Sequence, residues 1–419
     1  MEQEQRTFTA VEAAAFLGTS YRKICYFIAS GELPTEKSSG TYRITEQALE
    51  TLRRDHAAAD YARYRTEPDD TGFELVNEIY TEPNWTPVAD VWDAPPTSGM
   101  TFVDLFCGAG GLSRGLEMAG MHGLCGLDFF KEAGMTYARN FTHPFVYGDI
   151  TLPETKQRFY DTVLDRLDGR QLDIVAGGFP CQGFSMAGHH RVDDSRNSLY
   201  KELLEIVETL NPRYVVCENV KGLRMMLGGL VEKKIVNDFT DLGYRMNVAV
   251  LNAADYLVPQ KRERVIFIGN RIGRKNLHPS PVVKPSGYVT IGQAIGDLVD
   301  RDEDTAWNHI FTRHSEETKQ RIMAVPEGGS LTPKYKETCK KLPWDKPSCT
   351  IKENHGGVLL HPKLPRVMTP RELARLQSFP DDFIFEGPKT KQLTQIGNAV
   401  PPLLGKAIGL AVRKSVGDI

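Results

Sequence analysis

The stretch 177–185, Gly-Gly-Phe-Pro-Cys-Gln-Gly-Phe-Ser, places one cysteine just beyond a predicted strand. An apolar run from Leu172 to Ala176 predicts that strand, and two glycines end it. Pro180 fixes the backbone φ angle directly before Cys181. Because α/β enzymes hold reactive groups at strand ends, Cys181 is a candidate nucleophile. Taken alone, the motif is equally consistent with a small core cysteine.

A glycine-rich turn, 107–111, follows the strand pattern 101–106 and precedes a predicted helix. In that arrangement backbone amides and a helix N-terminus meet a polar ligand. The next two strand patterns end at Asp128-Phe129 and Asp149-Ile150. A carboxylate such as Asp128 suits ribose hydroxyls, and Phe129 can lie on a purine face. Since the phosphate-binding Gly-Lys-Ser/Thr element is missing, the pattern predicts an adenosine site, and S-adenosylmethionine is the common cofactor of that description.

Further along the chain, an acid and two arginines also lie next to predicted strands. Glu218 comes directly after the apolar strand pattern 214–217. Arg262 and Arg264 alternate ahead of another strand pattern, so they share one face, while Lys261 and Glu263 take the other. A structural acid and a solvated charge run are the ordinary alternatives.

Six motifs, taken in order along the chain, resemble those of the DNA cytosine-5 methyltransferases. They are DLFCGAGGL at 104–112, PCQGFS at 180–185, ENV at 218–220, QKRER at 260–264, RELARLQSFP at 371–380 and QIGNAVPP at 395–402. The resemblance runs from about residue 100 to the C-terminus. It implies an α/β, Rossmann-like S-adenosylmethionine-dependent methyltransferase fold with a small target-recognition domain.

The resemblance implies a role for each reactive residue. Cytosine C5 is a poor nucleophile until a thiolate adds at C6, and that thiolate is assigned to Cys181. Glu218 would donate to N3, where negative charge builds up. Arg264 would hold O2, and Arg262 would support the Cys181 loop or the adjacent backbone. The base must leave the duplex first, so we expect the polar loop 182–197 to close over a flipped cytosine.

The resemblance also implies a set of cofactor-binding residues. They are Phe106, Gly108, Gly110, Gly111, Leu112, Asp128, Phe129, Asp149, Ile150, Pro180, Leu199, Asn398, Ala399 and Val400. Many relatives have the longer Glu where this chain has Asp128. The stretch 397–400 is expected to start a closing helix that packs against the cofactor site.

The first 54 residues predict a separate module. Thr9 and Glu12 fit a capping box that opens a helix, and a second helix is expected from Tyr21 to Ser30. Two short strands, 33–37 and 41–44, and a last helix after Thr45 complete a winged helix-turn-helix. The stretch resembles excisionase and MerR-like DNA-binding modules. A module that docks on a protein partner is the alternative, because basic residues here do not outnumber acidic ones.

The remaining boundaries follow from composition. Residues 55–99 are acidic and proline-broken and predict a linker, 100–269 the catalytic domain, 270–368 the target-recognition domain, and 369–419 the returning part of the catalytic domain. The segment 270–368 holds 16 Lys and Arg against 11 Asp and Glu. Its cations and aromatics predict a DNA-reading surface: Trp307, Arg313, Lys334, Lys336, Lys340, Lys341 and Trp344.

Composition limits the class of protein. The 419 residues have 41% hydrophobic and 25% charged residues and a net charge of −3, which is typical of a globular protein with two or three units. Seven cysteines without a C-x-x-C pair argue against a disulfide framework and a thiolate metal site. No leader or membrane-spanning run is found, so a cytoplasmic location is expected.

The expected partner is double-stranded DNA, with a cognate restriction nuclease or defence proteins in a prokaryotic host. Two alternatives stay open, an RNA cytosine-5 methyltransferase and a DNA-binding regulator with an inactive methylase half. The N-terminal module and the basic segment favour DNA. The intact Cys181, Glu218, Arg262 and Arg264 weigh against an inactive enzyme.

Overall fold

The structure is a computed structural model that describes residues 6–17, 24, 27–28, 33–38, 41–56, 83–93, 98–180, 198–332, 339–353 and 359–419. Several predictions from the sequence fall outside these ranges. They concern Cys181, the loop 182–197, most of the helix predicted at 21–30, and the two lysines Lys334 and Lys336.

The N-terminal module has a sheet and a core of its own. Strand β1 (Thr7–Phe8) precedes helix α1 (Ala10–Leu17), and strands β2 (Glu36–Ser38) and β3 (Thr41–Thr45) precede helix α2 (Glu46–His56). The strands are ordered β1-β3-β2. The capping box is confirmed, since the Glu12 amide donates to Thr9 Oγ1 at 3.3 Å and the Thr9 amide to Glu12 Oε2 at 2.8 Å. Strand β1 was missed because two residues carry no periodicity.

Residues 83–93, within the stretch predicted as a linker, pack on the main unit. Strand β4 (Trp85–Thr86) pairs in parallel with β12 (His278–Pro279). Val88 is fully buried, and Lys414 on the last helix forms an ion pair with Asp90 at 2.8 Å. These contacts attach the segment to the C-terminal helix.

A seven-stranded sheet lies at the centre of the main unit. Its strands are ordered β10-β11-β9-β8-β5-β6-β7. In chain order they are β5 (Thr101–Leu105), β6 (His122–Asp128), β7 (Phe145–Tyr147), β8 (Ile174–Gly177), β9 (Tyr214–Val220), β10 (Arg245–Asn252) and β11 (Glu263–Asn270). Strands β5 to β9 are parallel, and β11 runs antiparallel to both of its neighbours. From β5 the chain adds β6 and β7 on one side and then crosses over to add β8 and β9 on the other, so the strand order reverses between β5 and β8. In such sheets, ligands bind at the carboxyl ends of the strands beside this reversal.

Helices cover both faces of the sheet. One face packs on α5 (Pro153–Leu167), α6 (Ser198–Leu210) and α7 (Leu230–Asp241), and the other on α3 (Gly111–Met118) and the last helix, α12 (Pro402–Val416). A Cβ at Gly115 would lie 2.6 Å from Gly405 Cα, so α3 and α12 cross on small residues. Helix α4 (Lys131–Asn140) follows β6. The remaining helices are α8 (Ile291–Ile295), α9 (Glu316–Ala324), α10 (Pro370–Leu376) and α11 (Lys389–Asn398).

Two details differ from the sequence expectations. The stretch 397–400 ends α11 and forms a turn, and the closing helix begins only at Pro402. Most of the segment 270–368 shares its core with the main unit, because Ile291, Ile295 and Leu298 pack with α10 and α11. Within the described ranges, only a small cluster around Ile322 and Leu360 is separate.

No helix in the part of the chain that the structure describes is both long enough and apolar enough to cross a membrane.

Candidate active site

The turn that leads to Cys181 is held in place from three sides. Gly177 ends β8 between Leu105 of β5 and Cys217 of β9. Phe179 is buried and its ring lies 5.0 Å from that of Tyr200. The buried Asn219 donates from Nδ2 to the Phe179 carbonyl at 2.9 Å. The backbone directly before Pro180 is therefore fixed by a strand pairing, a core aromatic ring and a buried amide.

Glu218 and Arg264 form an ion pair beside this turn. Arg264 Nε lies 2.7 Å from Glu218 Oε1, and each side chain is only about a tenth exposed, at 11% and 12%. The other oxygen, Oε2, faces the turn, because a Cβ added at Gly178 would lie 3.1 Å from it. Gly178 therefore allows the carboxylate to lie against the backbone three residues before Cys181.

Arg262 has a different environment from Arg264. It is 2% exposed and donates to the carbonyls of Ile351 at 2.8 Å and Gly397 at 3.1 Å. Burial, together with the nearby charge of Arg264, lowers the pKa of Arg262 to about 9, which leaves the guanidinium charged at neutral pH. The alternation predicted from the sequence is confirmed, since Lys261 and Glu263 are exposed. Arg262 joins two distant backbone segments at the edge of the site.

The three glycines of the glycine-rich turn differ in the space around their Cβ positions, which is open at Gly108 and occupied at Gly110 and Gly111. Phe106 and Gly108 adopt φ angles of 57° and 52°, in the left-handed region. Within the described residues no heavy atom lies within 4 Å of the Cβ position at Gly108. A Cβ at Gly110 would lie 2.4 Å from the Phe141 ring, and one at Gly111 would lie 2.2 Å from the Val400 carbonyl. Protein packing thus explains Gly110 and Gly111, which we expected to face a ligand.

Asp128 connects the glycine-rich turn to the end of β6. Its Oδ2 accepts the Gly108 amide at 2.8 Å and its Oδ1 accepts the Phe130 amide at 2.8 Å. Burial raises the pKa of Asp128, and these amides oppose the rise. Phe129, next in the chain, is 68% exposed. The carboxylate and the free aromatic face lie where the sequence expected an adenosine ligand.

The remaining predicted cofactor residues are distributed around this edge. Ile150, Leu112, Ala399 and Val400 are buried, Asp149, Pro180 and Asn398 are exposed, and Phe106 and Leu199 are half-buried. Asp149 Oδ1 accepts the Thr151 amide at 2.9 Å, and Asn398 Nδ2 lies 3.3 Å from Glu353 Oε2. Val400 and Ala399 meet the glycine-rich turn at Gly111, so the C-terminal return does reach the predicted cofactor site.

The predicted DNA-reading residues of the segment 270–368 that the structure describes are largely engaged within the protein. The Trp307 ring has Arg301 at 4.0 Å and Arg371 at 4.6 Å, and Trp344 packs on Gly292. Lys341 is buried and donates to the last carbonyls of α9. Arg313 forms an ion pair with Glu303, and Lys340 is half-buried. For Lys341 the prediction was wrong, since composition cannot tell a cation on a surface from one that binds the end of a helix. Trp307 and Trp344 are half-buried, and their role in reading DNA stays a prediction.

Asn219 lies within one of the six motifs, and its positioning role was not predicted from the sequence. The same holds for Gln260, which is fully buried and accepts the Ile351 amide at 2.8 Å, and for Gln377, which donates to the Ile396 carbonyl at 2.6 Å. The two glutamine side chains bond each other at 2.8 Å. A buried amide inside a motif is the signal that would have indicated these positioning roles.

Comparison with known proteins decides the family. The C-5 cytosine-specific DNA methylase family matches residues 100–414. The chain belongs to this family. The methylase is similar to the type II methyltransferase M1.HphI of Haemophilus parahaemolyticus, with 39% identity over 75% of this chain and 87% of the relative. Its activity is that of a DNA (cytosine-5)-methyltransferase.

Two further comparisons show how much of the methylase is similar to known proteins. The type II methyltransferase M.Eco47II of Escherichia coli is 30% identical and aligns over 97% of the methylase and 95% of its own length. A crystal structure of a DNA modification methyltransferase encoded within an E. coli prophage superposes with a TM-score of 0.61 at 27% identity, covering 76% of the methylase and 99% of that chain. The fold expected from the motifs is thus confirmed for the methyltransferase part.

Proposed function

We propose that the methylase transfers a methyl group from S-adenosylmethionine to C5 of a cytosine flipped out of a specific duplex sequence, through a covalent bond between Cys181 and C6. Its place would be the modification half of a restriction–modification or phage-defence system, as the type II relatives suggest. The observation that carries the proposal is the Glu218–Arg264 pair lying against Gly178, directly before the Cys181 turn.

The side chains divide the work on the cytosine ring. The Cys181 thiolate adds to C6, and charge that builds up toward N3 is met by a hydrogen bond or proton from Glu218. Arg264 Nε forms the ion-pair contact with Glu218, and Nη1 donates to the Glu263 carbonyl at 2.8 Å. Nη2, for which the described residues supply no bond, is the nitrogen that we assign to cytosine O2. After methylation, water accepts the proton from C5, the C5–C6 double bond forms again as the Cys181 thiolate leaves C6, and N3 returns its proton to Glu218.

The residues at the carboxyl edge fit an adenosine-containing cofactor. The open position at Gly108, the buried Asp128 carboxylate and the exposed Phe129 ring supply room, an acceptor for hydroxyls and a stacking face. The cofactor supplies an electrophilic methyl group on a sulfonium. Asp128 would hold the ribose while Val400 and Ala399 close the site from the C-terminal side.

Four of the other cysteines fit the nucleophile role poorly. Burial raises the pKa of Cys125 and of Cys217 to about 12, and raises those of Cys107 and Cys339. A thiol is a good nucleophile only as the thiolate. These four cysteines therefore stay protonated near neutral pH, which supports the assignment to Cys181.

The test is base-resolution mapping of 5-methylcytosine in DNA from cells that express the full chain. Cys181→Ala should abolish the methylation. Cys217→Ala, which removes a buried thiol from β9, is the matched control and should retain it. Methylation that persists unchanged in Cys181→Ala would overturn the mechanism.

We infer that residues 1–54 form a DNA-binding winged helix-turn-helix. In support, the module has its own apolar core around Phe8, Phe27 and Ile44, and M.Eco47II aligns with almost the whole chain. A full-length Arg22→Ala/Lys23→Ala variant should bind DNA more weakly in a mobility-shift titration and keep its kcat. Unchanged DNA affinity would favour a protein partner for this module.

A further inference from the structure

A continuous line of buried polar side chains runs beneath the glycine-rich turn. Ser113 Oγ donates to Asp104 Oδ2 at 2.6 Å, Tyr137 Oη lies 2.9 Å from Ser113 Oγ, and His143 Nε2 lies 2.7 Å from Tyr137 Oη. Each of the four side chains belongs to a residue at most 4% exposed. We name Asp104, Ser113, Tyr137 and His143 the buried relay.

Strand β6 is shaped around the relay. A Cβ at Gly123 would lie 2.2 Å from the His143 ring, and one at Gly126 would lie 2.6 Å from the Tyr137 ring. The Tyr137 ring also stacks on Phe141 with centroids 4.2 Å apart. Gly123 and Gly126 have no side chains and so leave room in β6 for these two rings. The sheet is therefore shaped to hold the relay.

The inner end of the relay lies close to the proposed cofactor site. Asp104 is fully buried and comes four residues before Gly108. Burial raises the pKa of Asp104 to about 7, the Ser113 hydrogen bond opposes the rise, and the charge of Asp128 adds to it. The Cys107 and Cys125 thiols are further titratable groups on this side, and burial raises the pKa of both, so they stay neutral near pH 7.

The outer end of the relay opens on a cleft of about 420 Å³ at the opposite edge of the sheet. His143 Nδ1 lies 3.4 Å from Glu117 Oε1 on α3. The cleft is also lined by His122 of β6, Arg166 of α5 and Arg170. These four residues are the charged and titratable groups that face the His143 ring there.

The relay admits two directions of hydrogen bonding. When Asp104 is a carboxylate, His143 Nε2 donates to Tyr137, Tyr137 to Ser113, and Ser113 to Asp104. When Asp104 is protonated, it becomes the donor and each bond reverses, so that His143 Nε2 accepts. A buried carboxylate without an arginine or lysine partner depends on such donors for its charge.

We propose that Ser113, Tyr137 and His143 are positioning residues that hold Asp104 as a carboxylate beneath the glycine-rich turn and so favour a cationic over a neutral cofactor. S-adenosylmethionine carries a positive sulfonium, and S-adenosylhomocysteine, the product, has a neutral thioether. Ionised Asp104 therefore promotes binding of the substrate over the product. This inference rests on the cofactor in the proposed function.

The test is calorimetric titration of the full-length methylase with each of the two compounds between pH 5.5 and 8.5. Affinity for S-adenosylmethionine should rise severalfold to about tenfold with pH, as expected for interaction between two charges of opposite sign. Affinity for S-adenosylhomocysteine should change much less. An equal pH dependence for the two compounds would overturn the relay proposal, whereas failure of S-adenosylmethionine to bind at any pH would contradict the proposed function.

Two variants break the relay at different bonds. Tyr137→Phe keeps the stacked ring and removes the hydroxyl, and Ser113→Ala removes the donor to Asp104. Ser113→Ala should move the midpoint of the S-adenosylmethionine profile upward by about one pH unit, because a hydrogen bond to the charged Asp104 is lost. Tyr137→Phe should move it in the same direction by less, because Ser113 loses its donor but keeps its own bond to Asp104. Tyr256→Phe, which loses a buried hydroxyl bonded to the Pro279 carbonyl at 2.7 Å, is the control and should leave the midpoint in place. Unmoved midpoints in both relay variants, measured on folded protein, would disprove the coupling.

Discussion

Two glutamate–arginine pairs in this methylase share a chemistry and differ in their surroundings. At the carboxyl edge of the sheet, Glu218 pairs with Arg264 through one contact of 2.7 Å. In the first turn of α10, Glu372 accepts two bonds of 2.8 and 2.6 Å from Arg366, and its side chain is fully buried. Glu372 also accepts the Thr369 amide at 2.7 Å in a capping box.

The two carboxylates differ in how many of their oxygens are bonded to donors of the protein. Burial acts to raise the pKa of Glu372, but the hydrogen bonds and charge of Arg366 outweigh it, so this pKa lies below its ordinary value. Both Glu372 oxygens are occupied by protein donors. Glu218 instead presents Oε2 toward Gly178 and the turn before Cys181. An ion pair alone therefore does not indicate a functional site, and Glu218 differs from Glu372 in having an oxygen for which the described residues supply no bond.

The largest expected effect is on catalysis. Glu218→Gln should lower kcat for methyl transfer by roughly 10²- to 10⁴-fold, because the amide cannot transfer a proton to N3. Its free energy of unfolding should change less than on breaking the Arg366–Glu372 pair, because glutamine keeps the size of the side chain and an oxygen that can accept from Arg264. The measurement is single-turnover methylation of a duplex oligonucleotide together with urea unfolding. A near-normal rate would remove Glu218 from the chemistry.

Breaking the Arg366–Glu372 pair should lower the stability of the fold instead of the rate of catalysis. Arg366→Met should lower the free energy of unfolding by about 3–5 kcal/mol, because Glu372 is left buried without its partner. Adding Glu372→Leu to that variant should recover part of the loss, as measured by urea unfolding of the single and double variants. If Glu218→Gln proved the more destabilising of the two changes, the contrast between the pairs would be wrong.

A smaller effect is expected where the turn is anchored. Asn219→Ala removes the bond to the Phe179 carbonyl and should reduce kcat about tenfold to a hundredfold by misplacing the Cys181 turn. Asn140→Ala is the matched control, since its amide also bonds a distant carbonyl, that of Ile384 at 2.8 Å, outside the site. Steady-state kinetics of both variants decide the matter. An equal loss of kcat in the control would point to a general loss of packing.

The most gradual effect concerns Asp104, a carboxyl that is buried like Glu372 but has no arginine partner among the described residues. Its pKa is raised to about 7 in the folded protein from an ordinary 3.8, so the native state binds its proton more tightly than the unfolded state. The stabilisation is full below about pH 4 and is lost as the pH rises toward 7, with a slope of at most about 1.4 kcal/mol per pH unit. Asp104→Asn should flatten this part of the unfolding profile. A variant profile parallel to that of the wild type would argue that Asp104 keeps one charge state throughout.

Much of this protein could be predicted from local sequence. The capping box at Thr9 and Glu12, the strand end at Asp128, and the shared face of Arg262 and Arg264 all follow from periodicity and hydrogen bonding within a few residues. Glu218, which was expected directly after its strand, lies within β9, which continues to Val220. The order of six motifs was enough to indicate the family, which the comparison then confirmed.

Contacts between distant segments could not be predicted in this way. Gly111 is a glycine because the Val400 carbonyl occupies its Cβ position, and Arg262 holds Ile351 and Gly397. Neither partner is visible from the neighbouring sequence. Likewise, only packing shows that Lys341 ends a helix instead of facing DNA.

The sequence by itself thus determined the reaction class, because the residue types that the chemistry needs appear in order at predicted strand ends. The tertiary structure decided which atoms of those residues are free. Glu218 and Glu372 have the same side chain, and the space that Gly178 leaves beside Glu218 separates one role from the other. Free atoms depend on long-range packing, which local patterns do not encode.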